Sequence, residues 1–112
     1  MPFVVRAFPL IRPVAEVKAF FTELRGRKRA ETDKFYKQFA VQHESAYLQE
    51  MPHGNVLIVV TVLSDEKAAA PQYQAASTEF DNWFKSEVKR LSGVDPNVTP
   101  LGPPTTEMFR WP

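Results

Sequence analysis

The groups in this chain that could do chemistry are few: one arginine in an apolar segment, two histidines, and a tyrosine and a glutamine two residues apart. Arg6 interrupts a run of Val4, Val5, Ala7 and Phe8. A guanidinium held among such side chains needs a carboxylate or a ligand anion, and Glu44, Glu50 and Glu107 are the acids that could supply one. His43 opens a segment of alternating polarity, where an imidazole is usually structural but beside a pocket could act as a general base. His53, within Pro52-His53-Gly54-Asn55, reads as exposed turn decoration. The two histidines flank one strand and lie too far apart to share a metal, so no metal site is expected. Tyr47 and Gln49 project from one face of that strand, where hydroxyl and amide could line a cavity or bridge an interface. Trp83, beside Phe84 in a helical stretch, suits core packing better than a pocket wall. Arg6, His43, Tyr47, Gln49 and Trp83 are therefore the candidate ligand-binding set, and no catalytic residue is assigned.

Other chemistries are excluded or disfavoured by what the chain contains. It has no cysteine, which removes disulfides, thiolate metal sites and cysteine nucleophiles. Its 4 glycines are dispersed, so there is no phosphate-cradling loop, and no nucleophile elbow occurs. No cofactor is expected. Arg25, Arg27, Lys28 and Arg29 form a basic cluster, but Glu23, Glu31 and Asp33 lie within helical reach and the net charge is only +1. A solvated helix face fits better than a nucleic-acid patch. The N-terminus lacks a basic stretch followed by a long apolar one, and the longest apolar run, Val56 to Leu63, is too short to span a bilayer. These features lead us to expect a cytoplasmic protein, with no membrane partner.

The elements that must position these residues can be read from 10 prolines and the apolar periodicity between them. Phe3 to Phe8 reads as a strand ended by Pro9. Val14, Val17, Phe20, Phe21 and Leu24, then Phe35, Tyr36 and Phe39, recur at helical spacing. They predict one long helix over 14–41, solvated or kinked at Gly26, or else two shorter helices. His43 to Met51 reads as a half-buried strand, Pro52 to Asn55 as a tight turn, and Val56 to Leu63 as an almost wholly apolar strand. Pairing across that turn sets Glu50 beside Leu57 and Tyr47 beside Val60. Ser45, Tyr47, Gln49, Met51, Val56, Ile58, Val60 and Val62 then share one face, and Leu57, Val59, Leu63, Ala46, Leu48, Thr61, Glu44 and Glu50 the other. Ser64-Asp65-Glu66 opens a helix that Pro71 interrupts, and Ser77 or Thr78 caps a second piece carrying Phe80, Trp83, Phe84, Val88 and Leu91. Gly93 suits a left-handed helix end. A proline-rich loop follows, and Thr106 to Trp111 closes as a short strand.

The resulting order is that of a ferredoxin-like βαββαβ domain of the α+β class, 1–112, with a four-stranded antiparallel sheet and helices on one face. The first and third strands would be central. Because they are apolar on both sides, the open face needs a second cover, and a sheet-to-sheet homodimer supplies it. The alternative cover is the proline loop or the aromatic C-terminus. The segment Ser45-Ala46-Tyr47-Leu48-Gln49-Glu50-Met51-Pro52-His53-Gly54 and the pair Phe80-Asp81-Asn82-Trp83-Phe84-Lys85 and Leu91-Ser92-Gly93-Val94-Asp95 resemble a small bacterial family of the dimeric α/β-barrel superfamily. That resemblance implies a site for a small organic ligand between sheet and helices. It also implies that chemistry of the cofactor-free monooxygenase, haem-degrading or isomerase kind is within the fold's reach. The Asn/His/Trp constellation of the haem-degrading members is not assembled here, since no asparagine falls in the first strand or first helix. A non-catalytic, stress-associated dimer is the competing expectation.

Overall fold

The computed structural model describes residues 3–112. Strand β1 is Phe3–Pro9, whose β-branched and aromatic side chains suit a pleated, packed surface. Helix α1, Val14–Arg25, starts directly after Pro13 and buries Val17, Phe20 and Leu24 on one stripe. Helix α2, Arg29–Gln38, buries Phe35. The stretch read as one long helix is thus two. The break falls at Gly26, where an added Cβ would lie 3.0 Å from the Thr22 carbonyl oxygen.

Ala40, with a φ of 55°, reverses the chain into strand β2, Val41–Gln49. Strand β3 is Val56–Leu63. Helix α3, Glu66–Ala75, is capped by Asp65, whose carboxylate accepts from the backbone of Lys67 and Ala68. The helix runs through Pro71 instead of stopping there, and ends only at Ala76. Helix α4, Glu79–Ser92, begins with a reciprocal capping box between Thr78 and Asp81 and ends at Gly93 in the left-handed region (φ 75°).

The sheet has three antiparallel strands in the order β1-β3-β2. This corrects the expected four-stranded ferredoxin-like arrangement: there are three strands and four helices, and β1 lies at an edge. The expected strand over Thr106 to Trp111 does not form. Pro103 and Pro104 remove two consecutive backbone donors just before it, which leaves too few groups to start a ladder. The C-terminal segment meets β1 through an isolated bridge between Arg6 and Pro104, an Ala7 amide donating to Pro103 (3.4 Å), a Thr105 hydroxyl donating to the Val5 carbonyl (2.6 Å) and the Arg110 guanidinium over the Phe3 ring (5.6 Å).

The β2–β3 register is also shifted from the expected one. Leu48 pairs with Leu57, Tyr47 with Ile58 and Ser45 with Val60, because residues 50–55 form a six-residue connection in place of a tight turn. The slip is two residues, so every side chain keeps its expected face.

All four helices pack on the face that carries Leu57, Val59, Thr61 and Leu63. The core there is a stack of rings centred on Phe35, which meets Phe84 at 4.3 Å between centroids, Phe39 at 5.1 Å and Tyr73 at 5.6 Å. Each buried phenylalanine contributes about 1.5–3 kcal/mol through the apolar area it removes from water. A second cluster of Val4, Leu63 and Ala69 is joined to the first through Leu101 of the proline-rich loop. That loop lies on the helix side of the sheet, held by Gly102, whose φ of 92° and contact with the Phe8 ring leave no space for a side chain. It does not cover the open face.

Two charges are buried where α3 meets α4. Lys85, 6% exposed, donates to the carbonyls of Gln74 (3.0 Å) and Ala76 (2.7 Å) and to Oδ1 of Asn97 (3.0 Å). Asp81, 2% exposed, accepts from the Thr78 amide and from Gln38 Nε2, both at 3.0 Å.

Candidate functional site

Between the sheet and the helix layer lies an apolar cavity of about 140 Å³. Its walls are Leu57, Val59 and Thr61 of β3, Val41, Glu44 and Ala46 of β2, ring side chains of all four helices, and Leu101 and its neighbours in the loop. Beside it runs a groove of about 660 Å³ between α1, α2 and the β2 edge. The two share Val17, Phe21, Tyr36, Glu44, Ala46 and Leu57, so the groove forms a natural approach to the inner space.

Glu44 is the one charged side chain on the inner cavity wall among the described residues. A bulge at the start of β2 puts it there. Val41 pairs with Leu63 and His43 with Val62, leaving Gln42 as the extra residue, so both Val41 and Glu44 face the helices. Thr61, directly opposite on β3, donates its hydroxyl to Glu44 Oε1 at 2.8 Å, and the Tyr36 hydroxyl is a second hydrogen-bond partner. Burial pushes the Glu44 carboxyl above its usual range, and the two hydroxyl partners and nearby His43 only partly offset that. The same desolvation, reinforced by the Glu44 charge, raises the phenols of Tyr36 and Tyr73. A carboxyl that favours its proton, on an apolar wall beside a void, can donate or accept a hydrogen bond, exchange a proton, or pair with a cation.

The residues singled out from the sequence do not converge on this cavity. His43, Tyr47 and Gln49 are exposed on the open face of the sheet, Tyr47 at 58%. Gln49 donates weakly to the adjacent Glu50 carbonyl (3.4 Å). Arg6 lies on the helix side of β1, but its partner is Glu66 at the start of α3 (2.6 Å), not Glu44, Glu50 or Glu107. It acts as a clasp between β1 and α3, with its Nε buried and unpartnered. Trp83 is wedged between Phe20 and Phe80, with Lys28 4.6 Å above its ring, and lines neither hollow. That contact, and the ion pair of Arg27 with Glu23 (3.0 Å), tie down part of the basic cluster.

Glu44 was missed as a site residue, although its signal was present: it is an acid on the strand face shared with Leu57 and Val59. Among the described residues no three of His, Cys, Asp and Glu gather as a metal centre would need, and no helix is long and apolar enough to cross a membrane. No family model, curated protein or solved structure matches the chain.

Proposed function

We propose that this protein binds a small organic ligand in the cavity between sheet and helices. The observation that carries the reading is an apolar void with a single partly buried carboxyl, Glu44, on its wall. Such a combination of apolar lining and one convergent polar group is the usual composition of a ligand pocket. A void of this size takes one ring or a short branched chain. The test is a titration with toluene and benzyl alcohol followed by NMR amide shifts. Shifts should cluster at Ala46, Leu57 and Thr61 in the parent protein and vanish in Ala46→Phe, which plugs the cavity from an edge strand that tolerates an aromatic. Shifts scattered over the surface, or unchanged in Ala46→Phe, would contradict the reading.

A homodimer formed through the open face of the sheet is a second, compatible proposal. Val5, Ala7, Val56, Ile58 and Val60 make that face apolar; they are half-buried, Arg110 lies over the Phe3 ring at one end, and the four helices pack on the other face. Phe109 and Trp111 extend into solvent at 81% and 83% exposure beside it. A partly exposed apolar sheet face marks an interaction surface. Light scattering should give twice the chain mass, falling to one chain mass in Val60→Asp. A monomer at every concentration tested would rule the dimer out.

A further inference from the structure

Glu44 is a carboxyl without a cation. Glu66 has Arg6, and Asp81 is enclosed by its capping box and Gln38, but the hydrogen-bond partners of Glu44 are two neutral hydroxyls, and it forms no ion pair among the described residues. A carboxylate offers about four acceptor sites, so these partners leave about half of its capacity free. Phe20, Phe21, Phe35, Tyr36, Tyr73 and Phe84 line the same cavity. Ring faces carry partial negative charge and attract ammonium groups, most strongly where water is excluded.

We propose that the cavity binds a compact primary amine, a single ring or short hydrocarbon chain bearing one ammonium, with that ammonium paired to the Glu44 carboxylate. This rests on the ligand-binding reading above and names its chemical class. The hydrocarbon body fills the ring-lined space, and the ammonium takes the acceptor sites that Thr61 and Tyr36 leave open. A ligand carboxylate would meet Glu44 as a like charge. Lys18 and Arg25 line only the outer groove and are exposed, so water and salt screen them from the inner site. Binding favours the ionised form of Glu44: the ammonium keeps its proton, the protonated fraction of the carboxyl releases its proton to solvent, and the pair is left neutral overall. The titratable groups facing Glu44 are Tyr36 of α2, Tyr73 of α3 and its strand neighbour His43. Burial keeps both phenols protonated, so the control for the neighbouring imidazole is His43→Gln.

Isothermal titration of the intact chain with benzylamine, benzyl alcohol and benzoate tests this. Benzylamine should bind about tenfold more tightly than benzyl alcohol, as a charge-assisted contact replaces a neutral one, and benzoate should not bind. Amine affinity should rise as pH rises above the ordinary glutamate value of 4.5 through the Glu44 midpoint, with buffer-dependent heat reporting the released proton, and should do so equally in His43→Gln. Glu44→Gln should lose the amine preference and keep benzyl alcohol. Equal or weaker binding of the amine, preference for benzoate, or an amine preference that survives Glu44→Gln overturns the assignment while leaving a ligand cavity in place. Failure of all three probes and of toluene overturns the ligand-binding reading itself. If Glu44→Gln does not fold, proton release in the parent protein decides: released protons support the ion pair, and their absence across the pH range contradicts it.

Discussion

Lys85 and Glu44 are both charged side chains drawn into the protein, and their surroundings differ in kind. The ammonium of Lys85 has three donors and meets three acceptors, from Gln74, Ala76 and Asn97. Nothing is left over, and the group serves to lock the end of α3 and the following loop onto α4. Glu44 meets two neutral donors and then a void. A saturated buried charge is a fastening. One with spare capacity beside empty space is open to a partner, and burial there favours its protonated form.

The contrast can be broken most forcefully at Lys85. Lys85→Met keeps the volume but removes the one ammonium that joins three acceptors, and should cost about 3 kcal/mol in urea unfolding. A loss near zero would mean that water replaces the ammonium and that the corner is no fastening. Gly102→Ala comes next, at about 2 kcal/mol, since a Cβ there would stand 2.2 Å from the Phe8 ring at a positive φ. It should also loosen the loop wall of the cavity, seen as faster amide exchange at Leu101. Thr78→Ala, which removes half of the α4 capping box, should cost about 1 kcal/mol in the same unfolding assay.

Glu44→Gln should have the smallest effect, within about 1 kcal/mol at neutral pH, because no cation is orphaned. Its signature is in the pH dependence. The folded state holds the Glu44 proton above the ordinary value of 4.5, so the stability linked to it is full below that value and declines as pH rises through the folded midpoint. Glu44→Gln should abolish that decline in thermal melts. Glu16 and Glu107 work in the opposite sense, held low by Arg12 with Arg90 and by Arg110 respectively. Their contributions are lost as pH falls below 4.5, and both are solvent-screened.

Much of this arrangement was legible in the chain. The division of β2 and β3 into two faces follows from a period of two, and it survived a register error because the slip was itself two residues. The caps at Asp65, Thr78 and Gly93 are local chemistry and were readable as such. The fourth strand was misread because Thr106 to Trp111 has a strand-like composition, whereas the missing donors of Pro103 and Pro104 act one step upstream. The five candidate residues were chosen for their side-chain chemistry, yet three of them lie on the open face. Glu44 was visible as an acid among apolar neighbours, but its void depends on how four helices meet, which no local pattern encodes. Lys85 was invisible because its partners are two backbone carbonyls and a loop asparagine.

The most direct measurement is a carbon-13 NMR titration of the Glu44 side-chain carboxyl, free and saturated with benzylamine. The account predicts a midpoint above the ordinary glutamate range in the free protein, falling below that range once the amine is bound. A midpoint that does not move when the amine saturates the protein would contradict it.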